Sequence, residues 1–407
     1  MKLTLLLDLD DTLLKNSMDT FLPGYLQAWS EFMSSKIDPK ILINAFLVGT
    51  RSISENPNFD CTLREGFDEV FYPMVGMTPE EFQPYEDRFY NEIFPKLKSL
   101  TQPAPGGEKF VESAFEHGYD VAIATNPYFP RTAIEQRLEW AGLPVEKYPF
   151  ALVPSIETFH YGKPHTAFFA ELLAHLGWPD GLIVMVGDEP NSDIFPADQF
   201  GLPTFWVSKP TVVRPENLHM PHHSGDLVEC LVWLEQLDTI DFVPDFNSSA
   251  ALLATLNSTP ATLHSLCQTL SSEQWTYHPE PDEWCPAEII CHLRDVDNEV
   301  NIPRFRKILL EDNPFLTGMD TDRWNKERHY HFQDGPQALL DFITARKDLL
   351  TLLEALDSQS WQRIARHSIF GRTDLAELVS FIVGHDRMHI RQILDDLKKV
   401  PTTTCVS

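Results

Sequence analysis

Residues 3–12 read LTLLLDLDDT, a short apolar run that ends directly in acidic residues. Such a run is typical of a strand that is buried on both faces of a sheet. Asp8 and Asp10 follow it, two residues apart. Because the carboxyl ends of parallel strands carry the chemistry in sheets of this kind, we expect both carboxylates at the functional edge.

The same pattern returns later in the first half of the chain. Further apolar runs end in polar residues at 121–124, 182–186 and 204–207. Helical patterns lie between or after these runs, at 107–117, 131–141, 166–176 and 226–237. This alternation of strand and helix predicts an α/β domain with a Rossmann-like, doubly wound parallel sheet.

The length of the chain, 407 residues, indicates two cores rather than one. The sheet domain is predicted over residues 1–240, with a helical, aromatic-rich cap inserted at about 16–100. Residues 241–249 carry Pro, Asp and Asn and predict a linker. Long helical patterns then predict an all-α, four-helix bundle over residues 250–400.

Charge and composition argue against some partners and compartments. The 60 Asp and Glu residues outnumber the 32 Lys and Arg residues, and the resulting net charge of -28 disfavours nucleic acid and anionic membranes as partners. The chain has no apolar run of about 18 residues and no signal-peptide pattern, so a cytoplasmic protein is expected. The six cysteines include no CxxC pair and predict reduced, mostly buried thiols.

The residue types at the predicted strand ends suit phosphoryl transfer. The carboxylate of Asp8 can attack phosphorus to form an aspartyl-phosphate, and Asp10 can protonate the leaving group and later activate water. Thr125 offers a hydroxyl and Lys163 a positive charge. Since several anions must meet an anionic phosphate, Mg²⁺ is also expected, with oxygen ligands from the stretch GDEPNSD at 187–193.

The order of these motifs is itself informative. A DxDxT motif, a strand ending in Thr125, then Lys163, then GDxxxxD resembles the four motifs of haloacid dehalogenase-like hydrolases, over about residues 1–240. The dehalogenase branch of that family lacks the second Asp, so Asp10 favours a phosphatase. The aromatic cap resembles those that close over small phosphorylated metabolites.

The resemblance also implies a role for each acidic residue. It implies that Asp8 is the nucleophile and Asp10 the general acid and base. Mg²⁺ would be held by Asp8, by the backbone carbonyl of Asp10 and by Asp188, with Asp193 in a supporting role.

A different site is predicted in the bundle. His385 and His389 are four residues apart on one helical face, on an apolar stripe, and His292 lies beside the inner stripe of its own helix. Three inward imidazoles can form an open divalent-metal site, although buried histidines are often simply hydrogen-bonded core residues. His329 and His331 are predicted to lie in a loop that could approach this site, although solvated loop residues are the favoured interpretation. The pair at 222–223 is predicted to lie in a polar loop.

The bundle also has a family resemblance. Trp284, His292 and Leu293, followed about 90 residues later by HDxxHxxQI at 385–393, resemble the metal-binding bundles of the DinB-like family, over about residues 248–398. The resemblance implies that His292, His385 and His389 bind a divalent transition metal, and three imidazoles suit Zn, Ni, Fe or Cu.

The activity of the bundle is left open by this resemblance. Some members look like transferases in which the metal activates a low-molecular-weight thiol. Alternatively the bundle is a non-catalytic metal-binding, sensing or dimerisation module, through which the chain forms a homodimer.

Overall fold

The computed structural model of the chain describes residues 2–208, 218–237, 243–281 and 283–399. Contacts divide the chain into two compact units, Met1–Leu172 with Pro179–Phe246 and Leu173–Trp178 with Asn247–Ser407. The domain limits at residues 240 and 250 stay a prediction. Four cysteines are buried and Cys61 is half-buried, all as free thiols, whereas Cys405 lies outside the described residues.

A five-stranded parallel sheet forms the centre of the first unit. Its spatial order is β2-β1-β3-β4-β5, and the strands are β1 (Leu3–Leu7), β2 (Asp120–Ile123), β3 (Leu182–Gly187), β4 (Thr204–Val207) and β5 (His222–Gly225). Every residue of β1 and β3 is buried, which explains why these strands are continuous apolar runs without alternation. The four strands predicted from sequence are confirmed to within one residue at each end.

The prediction of a polar loop at His222 and His223 is wrong, because these residues begin β5. The strand pairs in parallel with β4, with His222 opposite Thr204. His223 stacks on Trp233, with the ring centroids 5.9 Å apart and the rings 14° from parallel. An edge strand needs backbone hydrogen bonds on one side only. The polar sequence HHSG therefore forms a strand without an apolar pattern.

Helices cover the sheet at Gly107–Glu116, Arg131–Trp140, Thr166–His175, Phe195–Phe200 and Leu227–Glu235. The four helices predicted from sequence are confirmed, with ends that differ from the prediction by at most two residues. The helix Leu227–Glu235 begins with a capping box, in which the side chain of Asp226 accepts from the backbone of Glu229 and the Glu229 side chain accepts from the backbone of Asp226.

A helical insertion lies between β1 and β2. It consists of the helices Met18–Met33, Pro39–Glu55, Leu63–Val75 and Pro79–Arg88, followed by the turns Phe89–Ile93 and Phe94–Leu100. The two-residue strands Leu14–Lys15 and Gln102–Pro103 pair where the chain leaves and re-enters the sheet domain. Its core is aromatic, as the sequence predicts: Trp29 stacks on Phe89 with ring centroids 3.8 Å apart.

Four long helices form the second unit: α1 (Ser249–Cys267), α2 (Pro286–Val296), α3 (Gly335–Glu354) and α4 (Leu375–Lys399). The helical turn Asp297–Asn301 and the helix Ile302–Leu310 continue α2, and short helices lie at Ser272–Trp275 and Trp324–Glu327. Pro286 occupies the first turn of α2, where the missing N–H costs nothing. The predicted fold class, a parallel α/β sheet followed by a helical bundle, is confirmed.

A small sheet in the second unit was not expected. Its strands are Phe315–Leu316, Ile364–His367 and Gly371–Asp374, and the last two form a hairpin. Gly371, at the hairpin, has a φ of 77°, a left-handed value that glycine adopts without strain. These strands are too short to give a readable alternation of polar and apolar residues. Among the described residues, no helix is both long enough and apolar enough to cross a bilayer.

Candidate active site and candidate metal centre

Asp8 and Asp10 lie just beyond β1, at the carboxyl edge of the sheet. The backbone N–H of Asp8 donates to the carbonyl of Val186 at 3.0 Å, which fixes it beside the end of β3. The carboxylate of Asp10 points to different partners: it accepts from Asn16 Nδ2 at 2.7 Å and pairs with Arg137. The two carboxylates therefore have separate environments, as a nucleophile and a proton donor require.

Lys163 forms ion pairs with two carboxylates at this edge of the sheet. Its Nζ donates to Asp8 Oδ1 at 2.7 Å and to Asp193 Oδ1 at 2.6 Å, and all three residues are buried. Burial opposes the positive charge of Lys163, but the carboxylates of Asp193 and Asp8 outweigh burial and raise its pKa above the usual value. The backbone N–H of Lys163 donates to Asn126 Oδ1 at 2.7 Å, which ties it to the loop after β2.

Thr125 follows β2 and lies in the same region of the sheet edge. It is 1% exposed. Its Oγ1 has no hydrogen-bond partner among the described residues. Since buried hydroxyls are nearly always paired, this oxygen is suited to a ligand atom that completes its hydrogen bonding. An oxygen of a phosphoryl group fits that requirement.

Asp188 and Asp193 come from the segment after β3. Carboxylate oxygens of Asp8, Asp188 and Asp193 lie within 4.8 Å of one another. Burial, and then the charges of Asp8 and Asp193, raise the pKa of Asp188 to about 7, and burial raises the pKa of Asp193 to about 6. A divalent cation would relieve this repulsion, and oxygen ligands of this type suit Mg²⁺. The part of the Asp10 carbonyl in such a site stays a prediction.

Glycine is required at position 187 by close packing. A Cβ built on Gly187 would lie 2.3 Å from Asp193 Oδ2, closer than any side chain tolerates. The same Oδ2 accepts from the backbone N–H of Glu189 at 3.0 Å. Asp193 is thus held between Lys163 and its own loop, a fixed position that suits the supporting role predicted for it.

Arg137 is a functional candidate that the sequence reasoning missed. It is 1% exposed, lies on the helix Arg131–Trp140 and contacts the rings of Phe21 and Phe129. Burial lowers its pKa to about 10, although the charge of Asp8 opposes this shift. The sequence did contain a signal for it: Arg137 is a charged residue one turn after Ile134, on the apolar face of the predicted helix.

An apolar cavity lies within the first unit. The loop after Thr125 carries Tyr128 and Phe129, which line the cavity together with Tyr25 and Phe46 of the insertion. Its charged lining includes Arg64 and Glu86, which pair with each other through two contacts of 2.7 and 2.8 Å. The cavity is thus suited to an apolar ligand group.

The three predicted histidines of the bundle meet at one point. His385 Nε2 lies 3.0 Å from His292 Nε2 and 3.2 Å from His389 Nε2. For a tetrahedral zinc site with Zn–N bonds of about 2.05 Å, neighbouring nitrogens are about 3.3 Å apart, so these distances fit one shared ion. Burial lowers the pKa of His292 and His389 to about 3. Neutral imidazoles are what a metal requires.

Neighbouring groups fix two of these rings. His389 Nδ1 lies 3.2 Å from Gln392 Oε1, a hydrogen bond that leaves the lone pair of Nε2 for a metal. Trp284 stacks on His389 at 13° and meets His292 edge-on at 67°. These contacts hold the rings of His292 and His389 where their Nε2 atoms face His385.

A second cavity opens beside His385. Its lining includes Arg304, Phe305, Phe370 and Phe381. The histidine site therefore has a route for a ligand from this side. Such an open side is typical of catalytic metal sites, whereas structural sites are closed by protein ligands.

The remaining predicted loop histidines differ from the expectation. His331 does not belong to the cluster of the three bundle histidines; its Nδ1 lies 3.1 Å from Nε2 of His278. It is half-buried in the turn Tyr330–Phe332, so the prediction of a solvated loop residue is wrong for it. His329 is exposed, as predicted. Tyr330 between them is fully buried and anchors the turn.

Comparison with known proteins agrees with both resemblances. Residues 3–201 match the family model "haloacid dehalogenase-like hydrolase". Residues 255–393 match the model of the DinB superfamily. The resemblances inferred from the motifs are therefore confirmed.

Individual relatives are distant. The uncharacterized protein YuaE of Bacillus subtilis is 21% identical over 142 residues, 32% of this chain and 88% of YuaE. A 2-haloacid dehalogenase from Pseudomonas syringae pv. Tomato is 23% identical, with a TM-score of 0.43 over 58% of this chain and 99% of its own. A HAD phosphatase from Thermococcus onnurineus is 20% identical, with a TM-score of 0.38 over 57% and 98%.

A solved structure also resembles the bundle. YfiT from Bacillus subtilis, described as a probable metal-dependent hydrolase with an unusual four-helix bundle topology, is 20% identical. The TM-score is 0.35, and the match covers 39% of this chain and 90% of YfiT.

Proposed function

We propose that this chain, which joins a haloacid dehalogenase-like hydrolase to a DinB superfamily bundle, is a magnesium-dependent phosphatase of small phosphorylated metabolites. The observation that carries the proposal is the position of Lys163. Its ammonium group bridges Asp8 and Asp193, with Asp188 beside them, while Asp10 is held apart by Asn16.

In the first step Asp8 attacks phosphorus, and an Asp8–phosphorus bond forms as the bond to the leaving oxygen breaks. Asp10 gives its proton to that oxygen, so that an alcohol leaves. Lys163 and the Thr125 hydroxyl would bind phosphoryl oxygens, where negative charge develops. Asp8, the backbone carbonyl of Asp10 and Asp188 would hold Mg²⁺, with Asp193 in a supporting role, and the ion would supply charge neutralisation for the phosphoryl group.

In the second step water attacks the aspartyl-phosphate. Asp10, now a carboxylate, takes the proton from that water, and phosphate and free Asp8 are released. Arg137 and Asn16 hold Asp10 in place through both steps. A dehalogenase would not need this group, because a halide leaves without a proton. The fixed position of Asp10 thus favours phosphate chemistry.

The substrate class follows from the apolar cavity in the first unit. Tyr128 and Phe129 are three and four residues after Thr125, so a phosphate bound at Thr125 would place the rest of the molecule near these rings. We infer a phosphate ester whose other end carries an apolar group and a polar atom for Arg64 or Glu86.

The test is hydrolysis of an aryl phosphate by the full chain in the presence of Mg²⁺. Asp8→Asn should reduce kcat by several orders of magnitude, because an amide cannot form the phosphoenzyme. The control is Asp120→Asn, which removes a carboxylate of similar type from an exposed pair with Lys2. Equal rates for Asp8→Asn and wild type would contradict the nucleophile assignment.

For the bundle we propose a divalent transition metal, Zn, Ni or Fe, bound by His292, His385 and His389, with activity as a thiol-dependent transferase. The cavity beside His385 supports this choice, because Arg304 offers a positive charge to an anionic thiol compound. When bound, the metal would lower the pKa of the thiol that reacts with an electrophile.

Thiol consumption with an electrophile should fail in His385→Ala and persist in His329→Ala, which changes an exposed histidine outside the cluster. The alternative, a binding, sensing or dimerisation module, predicts metal-dependent formation of a homodimer without thiol consumption. Light scattering of the full chain with and without metal measures that outcome. A cytoplasmic location is part of the proposal.

A further inference from the structure

A second group of metal-ligand types lies in the bundle unit, outside the three histidines. It consists of His278, Cys285, Glu288 and His331, and one ligand atom from each lies within 4.8 Å of all the others. Cys285 and Glu288 are buried, and both histidines are half-buried. Glu288 belongs to the first turn of α2, and Cys285 immediately precedes that helix.

The distances inside this group match a tetrahedral shell. Bond lengths of about 2.05 Å to nitrogen or oxygen and about 2.3 Å to sulfur predict separations of about 3.3 Å between two nitrogens and about 3.6 Å between nitrogen and sulfur. His278 Nε2 lies 3.1 Å from His331 Nδ1 and 3.4 Å from Glu288 Oε2. Cys285 Sγ lies 3.9 Å from His331 Nδ1.

Hydrogen bonds alone explain this group less well. His278 Nε2 faces both His331 Nδ1 and Glu288 Oε2, and a single Nε2 proton cannot be donated fully to both. Cys285 and Glu288 also form the capping box of α2, in which the backbone N–H of Cys285 donates to Glu288 Oε2 at 2.9 Å, and this helix start brings the thiol to the same place. A shared cation satisfies the sulfur, both nitrogens and the carboxylate oxygen together.

We propose that His278, Cys285, Glu288 and His331 bind a zinc-class ion, separate from the ion of the three bundle histidines. Four protein ligands close the tetrahedral shell, as in structural zinc sites. The site joins the turn that carries His331 to the beginning of α2. Trp284, one residue before Cys285, stacks on His389, so the closed site would also hold that ring in place.

Cobalt substitution in the full chain tests the proposal, because a thiolate ligand gives Co²⁺ an intense near-ultraviolet charge-transfer absorption that imidazoles and carboxylates do not give. The wild-type protein should show this band. It should disappear in Cys285→Ser and persist when both His385 and His389 are changed to Ala, since that variant retains the thiolate site.

Cys291→Ser is the matched control. Cys291 is also a buried thiol, within α2, but its Sγ contacts Gln333 Oε1 rather than the four-residue group. The band should persist in this variant. If the wild-type protein lacks the band, if Cys285→Ser retains it, or if Cys291→Ser abolishes it, the proposal is overturned.

Zinc content gives a second readout that does not depend on the cysteine. After dialysis in excess Mg²⁺, which keeps the carboxylate site of the first unit filled, the wild-type protein should retain two zinc ions per chain. His331→Asn, which changes a half-buried turn residue, should retain one, and circular dichroism checks its fold. The same zinc content in the wild type and in a folded His331→Asn contradicts the second site.

Discussion

Arg346 is the residue whose replacement should destabilise the bundle most clearly. Its side chain is fully buried in α3; Nε donates to Asp297 Oδ2 at 2.7 Å, and Nη1 and Nη2 donate to Asp386, the latter at 3.2 Å. Nη1 also reaches the carbonyl of Leu256 on α1 at 3.3 Å. This one guanidinium therefore pairs two buried carboxylates, and Arg346→Met leaves both without a counter-charge.

The expected loss follows from that geometry. Removing one partner of a buried ion pair costs about 3–5 kcal/mol, because the remaining charge stays desolvated. For a unit of roughly 150 residues, each kcal/mol corresponds to about 2–4 °C in Tm. The bundle should therefore melt about 6–20 °C lower. Arg323→Met is the control, since its pair with Glu327 is exposed on both sides and should be worth less than about 1 kcal/mol.

The loss of stability in Arg346→Met is measured by chemical and thermal unfolding of the full chain, monitored by circular dichroism. The loss should be larger at pH 8 than at pH 5. Burial already raises the pKa of Asp297 with Arg346 beside it, and removal of the guanidinium raises this pKa further. An acid whose folded-state pKa is raised destabilises the fold when it ionises, so stability falls as pH rises. A loss below about 1 kcal/mol at pH 8, equal to that of Arg323→Met, refutes this reasoning.

Two further predictions concern the candidate active site. Arg137→Met should lower kcat for aryl phosphate by about 10–150-fold, because a charge-assisted hydrogen bond to Asp10 is worth about 1.5–3 kcal/mol; unchanged kcat would show that Asp10 does not depend on this pair. Gly187→Ala should raise the Mg²⁺ concentration needed for half-maximal activity, because its Cβ displaces Asp193. Gly384→Ala is the control, because a Cβ there meets nothing within 4 Å. It should change neither kcat nor the Mg²⁺ concentration needed for half-maximal activity.

Most of the sheet could be predicted because strands that are buried on both faces consist of apolar residues. Strands β1 and β3 are buried on both faces, so their apolar runs are readable without knowledge of their neighbours. Strand β5 and the small sheet of the second unit were missed because backbone pairing with a neighbour determines them, as in the pairing of His222 with Thr204. The composition of these short segments does not reveal which strand they pair with.

The residues of the candidate active site also differ in how far the sequence could predict them. Asp8 and Asp193 meet because β1 and β3 present their carboxyl ends at one edge, a rule of sheet topology that requires no knowledge of side-chain packing. Lys163 follows no strand and reaches both carboxylates from the segment before the helix Thr166–His175. Arg137 reaches Asp10 from 127 residues further along the chain. That contact depends on how a helix packs on the sheet, which spacing in the sequence does not reveal.

Ligand chemistry assigns the three candidate sites to two classes of ion. The site of Asp8, Asp188 and Asp193 offers only hard oxygen ligands, which suit Mg²⁺, whereas the bundle offers imidazoles, one thiolate and one carboxylate, a set that suits zinc and its neighbours. In the Irving–Williams order, affinity for divalent metals rises from Mn²⁺ to Cu²⁺ and falls again at Zn²⁺. A chelator selective for transition metals should therefore remove the bundle ions and leave the magnesium-dependent hydrolysis intact. Loss of both activities together would mean that the first unit also depends on a transition metal.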